Sequence, residues 1–186
     1  MTSSLLFWTA LAILVFWAVG AYNRLVRLRS DVNAGFAALD AELSRQVALV
    51  LAMAPAPEDL TDSQFDGGSA FWTGLQSAAS QFAASLAAAR QKPLDPERIA
   101  ALGAAHEILD MAWDRALRDD AHDLAGARLP ETVMQQRAHL AQATQAATEN
   151  FNRAVARYND AIAQFPALVL AWIFGFAATR GLRARP

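Results

Sequence analysis

A single apolar run at the N-terminus constrains this chain more than any other feature. Residues 5–22 read LLFWTALAILVFWAVGAY, and residues 1–23 contain no charged side chain. As a helix this run would extend about 27 Å, close to the hydrocarbon thickness of a bilayer. It is apolar on every side rather than striped, unlike the helices of soluble bundles. We therefore predict a transmembrane helix over residues 5–22, with a short extracytoplasmic segment at 1–4.

A cleaved signal peptide is the alternative interpretation of this segment. No Lys or Arg precedes the run, the run is longer than the apolar part of a typical signal peptide, and no small-residue cleavage site is followed by a break in the pattern. Instead Arg24, Arg27 and Arg29 follow it. The positive-inside rule then predicts that the rest of the chain lies in the cytoplasm.

The helical period continues without a break beyond the apolar run. Apolar residues recur at intervals of three and four: Leu25, Leu28, Val32, Phe36, Leu39, Leu43, Val47 and Val50. This heptad-like stripe is typical of a coiled coil or a bundle helix. We predict a first helix from about Leu5 to Met53, ended by Pro55 and Pro57. Segment 54–69 is predicted to be a loop, because Gly67 and Gly68 disfavour a helix there.

Three further helices are predicted, and no strand pattern is present. The second covers about Ser69 to Gln91, the third begins at Pro96 with Asp95 as its N-cap, and the fourth runs from about Pro130 to Gln164. Short connections favour antiparallel neighbours. The predicted fold is therefore all-α, an N-terminal transmembrane helix continuing into an elongated antiparallel four-helix bundle over residues 23–166.

An apolar and arginine-rich segment closes the chain. Residues 167–176 read ALVLAWIFGF and are followed by Arg180, Arg183 and Arg185. Ten apolar residues are too few to span a bilayer as a helix. Because an antiparallel bundle returns the chain to its starting end, we expect residues 167–186 near the membrane. They either lie in the interface with the arginines facing lipid phosphates, or pack on the end of the bundle.

Composition excludes several classes of function. The net charge of −2 gives no basic field for nucleic acid. The absence of cysteine excludes disulfides, thiolate catalysis and cysteine-based metal sites. No Ser/His/Asp set and no glycine-rich phosphate loop stands out, so we expect neither an enzyme nor a cofactor.

Two histidine-containing segments are the candidate metal sites. His106-Glu107-Ile108-Leu109-Asp110 lacks the second histidine of a zinc helix, and His106 falls on an apolar stripe, so a core or boundary histidine is favoured. The cluster Asp119-Asp120-Ala121-His122-Asp123 could bind a divalent cation. A solvated loop is the favoured interpretation, and a metal-dependent enzyme is a minor alternative.

Two blocks of sequence resemble the LemA family. The first is Tyr22-Asn23-Arg24-Leu25-Val26-Arg27-Leu28-Arg29, followed by Val32, Leu39 and Asp40. The second runs from Phe151-Asn152 through Arg157-Tyr158-Asn159 and Phe165-Pro166 to Gly175-Phe176. Phe36 stands where the family pattern has a tryptophan, and 161–163 lacks its second asparagine. The resemblance implies a single-pass bacterial inner-membrane protein with a long-helix bundle and no known catalytic residues.

The resemblance also supplies the candidate interaction residues: Tyr22, Asn23, Arg29, Arg157, Tyr158, Asn159, Phe165, Pro166, Gly175 and Phe176. They are interpreted either as buried polar clamps that fix helix register or as a surface for a partner or lipid headgroup. Family genes often neighbour membrane peptidases. The favoured hypothesis is a non-catalytic membrane scaffold; the alternative is an accessory subunit of a membrane-bound peptidase or signalling protein. Expected contacts are membrane lipid through 5–22 and, if the C-terminal segment lies in the interface, through 167–185 as well, together with a protein partner or a second copy.

Overall fold

The computed structural model describes residues 2–53, 66–120, 131–165 and 167–182. Over these ranges the chain forms α1 (Thr2–Met53), α2 (Asp66–Gln91), α3 (Pro96–Asp120), α4 (Glu131–Ala163) and the short α5 (Ala167–Phe174). The described residues contain no strand, and the all-α prediction is confirmed. Most of the predicted loop at 54–69, and the stretch at 121–130, lie outside the described residues.

Helix α1 runs without interruption through the apolar N-terminal run and the heptad-like stripe. Five members of the stripe are fully buried: Leu25, Val32, Leu39, Leu43 and Val50. The N-terminal part of α1 is long and apolar enough to cross a membrane, and none of its most apolar 18-residue window is buried. One helix therefore supplies both a candidate membrane span and a wall of the bundle core.

Helix α2 begins earlier than the sequence indicated. We expected it to start near Ser69 because Gly67 and Gly68 disfavour a helix, but it starts at Asp66 and includes both glycines. The expectation was wrong because the glycine penalty of about 1 kcal/mol applies to helix interiors. In the first turn the backbone N–H groups have no partner within the helix in any case.

The start of α3 follows the sequence closely. Asp95 Oδ1 accepts hydrogen bonds from the backbone N–H groups of Glu97 and Arg98, at 3.0 and 3.4 Å. This is the N-cap that Asp95 and Pro96 predicted.

Helices α1 and α4 form the most extensive pair, and they run antiparallel. The Phe36 and Phe151 ring centroids are 5.9 Å apart, and Gln46 Nε2 donates to Thr144 Oγ1 at 2.9 Å. Helix α2 packs on α1 and on α3, while α5 packs on both α1 and α4. The helices therefore assemble as the antiparallel bundle that their lengths and connections predicted. Helix α5 packs at the end of the bundle that lies next to the apolar segment of α1.

A polar layer crosses the middle of the bundle. Gln46 on α1 bonds His106 of α3 (Oε1 to Nε2, 3.0 Å) as well as Thr144 of α4. The His106 ring also lies 5.3 Å from the ring of Phe82 on α2. Four helices thus meet at one level, and His106 is a boundary histidine as its place on the apolar stripe predicted.

Candidate functional site

The C-terminal tail, residues 176–182, folds back onto the bundle. Helix α5 ends at Phe174 and is followed by Gly175, whose φ of 68° lies in the left-handed region. Phe176 N–H then donates to the carbonyl of Ala171 at 2.9 Å. A glycine at this position is the usual helix C-cap, because a Cβ is strained at positive φ. The chain therefore reverses here and returns along α4 in an extended conformation.

Two adjacent residues of α4 hold the start of the tail. Tyr158 Oη donates to the carbonyl of Ala177 at 3.1 Å. The Asn159 amide donates to the carbonyl of Thr179 at 2.8 Å and accepts the Thr179 N–H at 3.0 Å. One asparagine side chain thus pairs with both backbone groups of one residue, which an extended segment would otherwise leave without a protein partner.

Asn152 holds the end of the tail two helical turns away. Its Nδ2 donates to the carbonyl of Leu182 at 2.7 Å. Because seven residues separate Asn152 from Asn159, both lie on one face of α4. A Cβ on Gly181 would lie 2.5 Å from Asn152 Oδ1, so a side chain there would force the amide aside. Leu182 is 4% exposed, and its Cδ1 lies beside Gly103 of α3.

Asn152, Tyr158 and Asn159 together are called the clamp. Two polar side-chain atoms of the described residues, one in the clamp and one in the tail, have no hydrogen-bond partner. Within the described part of the chain, Asn152 Oδ1 and Thr179 Oγ1 are buried and make no hydrogen bond. Such atoms cost free energy when they leave water. The clamp's hydrogen bonds to the tail all involve backbone groups of the tail, so they need an extended main chain and, at Gly181, the absence of a side chain.

The Tyr158 phenol is held in its protonated form. Its side chain is buried, at 2% exposure. Burial raises the pKa of Tyr158 above its ordinary value of 10.0, and the positive charge of Arg29 opposes this effect. The neutral phenol is the form that can donate to the Ala177 carbonyl, so burial and hydrogen bonding favour the same state.

The two sequence blocks meet beneath the tail. The Tyr22 ring centroid lies 4.9 Å from that of Phe174 and 6.0 Å from that of Phe176. Tyr22 of α1 therefore supports the turn that begins at Gly175. The residues brought together around the tail are Tyr22, Tyr158, Asn159, Gly175 and Phe176.

The other candidates lie apart from the clamp. Asn23, Arg29 and Arg157 are exposed, although the charge of Arg29 reaches Tyr158. Phe165 is 83% exposed, and Pro166 lies outside the described residues. The signature residues thus divide into a tail-holding group and a surface group.

Sequence reasoning missed three participants: Asn152, Thr179 and Leu182. Asn152 belongs to the second block but is not one of the ten candidate residues. Its spacing of seven residues from Asn159 was an available signal for a shared helix face. Nothing in the sequence indicated that this face would bind the tail.

The structure provides no metal centre in the part of the chain that it describes, where no group of three or more possible ligands occurs. His106 is engaged with Gln46 in the polar layer. The candidate cation cluster at 119–123 lies outside the residues whose side chains the structure describes.

A family model matches the sequence of this part of the chain. The model of the LemA family covers residues 73–185, which include α3, α4, α5, the clamp and the tail. The match begins beyond the block around Tyr22, so it rests on the helical core and the second block. Comparisons with curated proteins and with solved structures give no match. Because the model covers more than half of the chain, this protein belongs to the LemA family.

Proposed function

We propose that the protein is a single-pass membrane scaffold without a chemical step of its own. Residues 5–22 cross the bacterial inner membrane, and the bundle stands in the cytoplasm, where its surface binds a protein partner or a second copy. The arginines at positions 24, 27 and 29 support this orientation through the positive-inside rule.

The continuity of α1 is the observation that carries this proposal. The helix passes from an apolar window in which no residue is buried to core positions such as Leu25 and Val32, which are fully buried. An anchor that shares a helix with the core cannot swing freely relative to the bundle. A scaffold needs a bundle with a fixed orientation relative to the membrane, because only then is its partner held in a defined place.

The distribution of exposed apolar side chains supports a second contact with the membrane. Trp172 is 85% exposed and Phe165 83% exposed, and Leu168, Val169, Ile173 and Phe174 are also exposed. All belong to α5 or the turn before it, which pack against the bundle end where α1 exits. In water such a patch would be costly, whereas the membrane interface accommodates it.

Anchorage and orientation are tested together with the full-length chain. Because the protein has no cysteine, Ser3→Cys and Ser80→Cys each introduce one reactive thiol. We expect the protein to stay in the membrane fraction after alkaline carbonate extraction. Mass spectrometry of the membrane-bound protein should detect the peptide that begins at Met1, which shows that the N-terminal segment is retained. A membrane-impermeant thiol reagent should label Ser3→Cys in spheroplasts and Ser80→Cys only after lysis. Loss of the N-terminal segment, or release by carbonate, would overturn the proposal.

The scaffold role is tested by cross-linking in cells through photoreactive residues on exposed bundle positions. Cross-links between copies, or to one stoichiometric partner that depend on the bundle surface, support a scaffold. A partner that is itself a membrane peptidase or signalling protein would instead favour the accessory-subunit alternative.

A further inference from the structure

A groove opens where α1 leaves its apolar segment and meets the end of α4. Its volume is about 770 Å³, and it lies against one face of α1 and the turn between α4 and α5. The α1 wall is formed by Ala12, Ile13, Phe16, Trp17, Gly20 and Arg24. Across the groove lie Ala161, Gln164 and Phe165. Arg24 is the one charged residue among those that line it.

The polarity of the groove follows the expected depth in the membrane. From Ala12 to Arg24 the helix rises about 18 Å, somewhat more than half of the hydrocarbon thickness of about 30 Å. The apolar part of the groove therefore lies within one leaflet, and Arg24 lies at its boundary with the headgroups. A fitting occupant therefore has an apolar chain in the part of the groove lined by Ile13 to Gly20 and a negative charge beside Arg24.

We infer that this groove binds one anionic phospholipid, with an acyl chain along Ile13, Phe16 and Gly20 and the headgroup phosphate on Arg24. An arginine can hold phosphate oxygens through two parallel N–H groups. The inference rests on the proposed membrane anchorage, because only an inserted α1 presents the groove to lipid.

A second copy of the chain is a poorer occupant of the same groove. A parallel dimer around a two-fold axis would bring the same face of α1 from each copy together. The two Arg24 guanidinium groups would then lie close to each other near the apolar boundary, where like charges repel strongly. A phosphate instead neutralises Arg24.

Native mass spectrometry of the full-length protein tests the inference. The protein is reconstituted in vesicles of phosphatidylcholine and phosphatidylglycerol and then extracted in mild detergent. We expect one phosphatidylglycerol to remain bound to each chain. Arg24→Gln should reduce this retention roughly tenfold, the effect of losing a hydrogen bond to a charged group. Arg27→Gln, an exposed arginine outside the groove wall, is the matched control and should retain the lipid.

Gly20→Leu tests the acyl-chain part of the groove. A Cβ at Gly20 would meet no atom within 4 Å, so the leucine is accommodated without displacing protein atoms and occupies space in the groove. We expect it to abolish retention of the lipid. Val19→Leu adds a leucine at a position that is 53% exposed and does not line the groove, and it should have no effect.

Several results would overturn the lipid site. One is that Arg24→Gln and Arg27→Gln lose equal amounts of bound phosphatidylglycerol, and another is that the wild type retains phosphatidylcholine equally well. A third is that Gly20→Leu leaves lipid retention unchanged. The last is that the wild type forms lipid-free dimers that Gly20→Leu disrupts. Carbonate extraction of each variant separates this failure from failure of the proposed function. A wild-type chain that stays in the membrane without lipid refutes the site alone, whereas one that leaves the membrane refutes both.

Discussion

At the scale of single residues, the Asn159 side chain makes the two backbone hydrogen bonds that a neighbouring β-strand usually makes to an extended residue. It pairs with both backbone groups of Thr179, and Tyr158 beside it donates to the carbonyl of Ala177, two residues closer to α5. An extended segment on a helix surface has no ladder to join, so amide and phenol side chains satisfy its backbone groups instead. We therefore expect these two residues to hold the start of the tail, while Asn152 holds its end.

The first prediction concerns attachment of the tail. Asn159→Ala removes two hydrogen bonds, worth about 2 kcal/mol in total, which corresponds to roughly a thirtyfold rise in the detached fraction. Arg180 is exposed within the tail. We expect the rate of trypsin cleavage after Arg180 to rise accordingly, measured by mass spectrometry under native conditions. Asp160→Ala, at the neighbouring exposed position, is the control. Equal cleavage rates in the two variants would contradict the role of Asn159.

The second prediction concerns pH. Because burial raises the pKa of Tyr158 in the folded state above 10.0, folding favours the neutral phenol. Its contribution is fully present below about pH 10 and is lost as the pH rises through the raised folded-state pKa. Tyr158→Phe lacks this titration and also lacks the hydrogen bond to Ala177, worth about 1 kcal/mol.

Urea unfolding of the wild type and Tyr158→Phe at a series of pH values measures this effect. The difference in unfolding free energy should be constant near neutral pH and should fall above about pH 10. A difference that stays constant through the alkaline range would show that the phenol is not buried as described.

At the scale of elements, the contact between α1 and α4 organises the bundle. Gly35 marks a close approach, since a Cβ there would lie 3.3 Å from the backbone Cα of Phe151. A helix backbone cannot move aside as a flexible side chain can. The absence of a side chain at this position therefore sets the separation of the two longest helices.

The third prediction uses the same substitution at two glycines. Gly35→Leu should lower the unfolding free energy by about 1–3 kcal/mol, because it overpacks the contact between α1 and α4. Gly74→Leu should instead raise it by roughly 0.5–1 kcal/mol, because Gly74 is exposed and a Cβ there meets nothing within 4 Å. Urea unfolding measures both variants. Equal effects would mean that Gly35 does not limit the helix separation.

At the scale of the whole molecule, apolar exposure concentrates at one end. The apolar segment of α1 and the outward face of α5 carry most of the large exposed hydrophobic side chains. We expect the membrane to cover both surfaces, so that the protein is held by a spanning helix and an interfacial helix. Two contacts restrict tilt and rotation more than one contact does.

The fourth prediction tests the interfacial helix. Ile173→Cys, at a residue that is 58% exposed, is labelled with an environment-sensitive nitrobenzoxadiazole dye in the otherwise cysteine-free chain. In vesicles its emission should shift to shorter wavelength, and spin-labelled lipids should quench it. Glu107→Cys, exposed on α3, is the control and should respond to neither. A similar response at both positions would exclude insertion of α5.

The sequence by itself determined the helices, because their periodicity and end signals are local. The stripe from Leu25 to Val50 indicated the buried face of α1, and Asp95-Pro96 indicated the start of α3. The start of α2 was misjudged because the cost of a glycine depends on its position in the helix, which only the structure gives.

Only the tertiary structure decided how the C-terminal residues are placed. From the sequence, residues 167–176 could either lie in the membrane interface or pack on the bundle. In the structure one face of α5 packs on the bundle and the other face is exposed. It also left the Tyr158-Asn159 pair without a partner, because an extended tail has no periodicity to reveal what it binds. Whether Asn159 meets Thr179 depends on the turn at Gly175, since the two residues come together only when the chain reverses there.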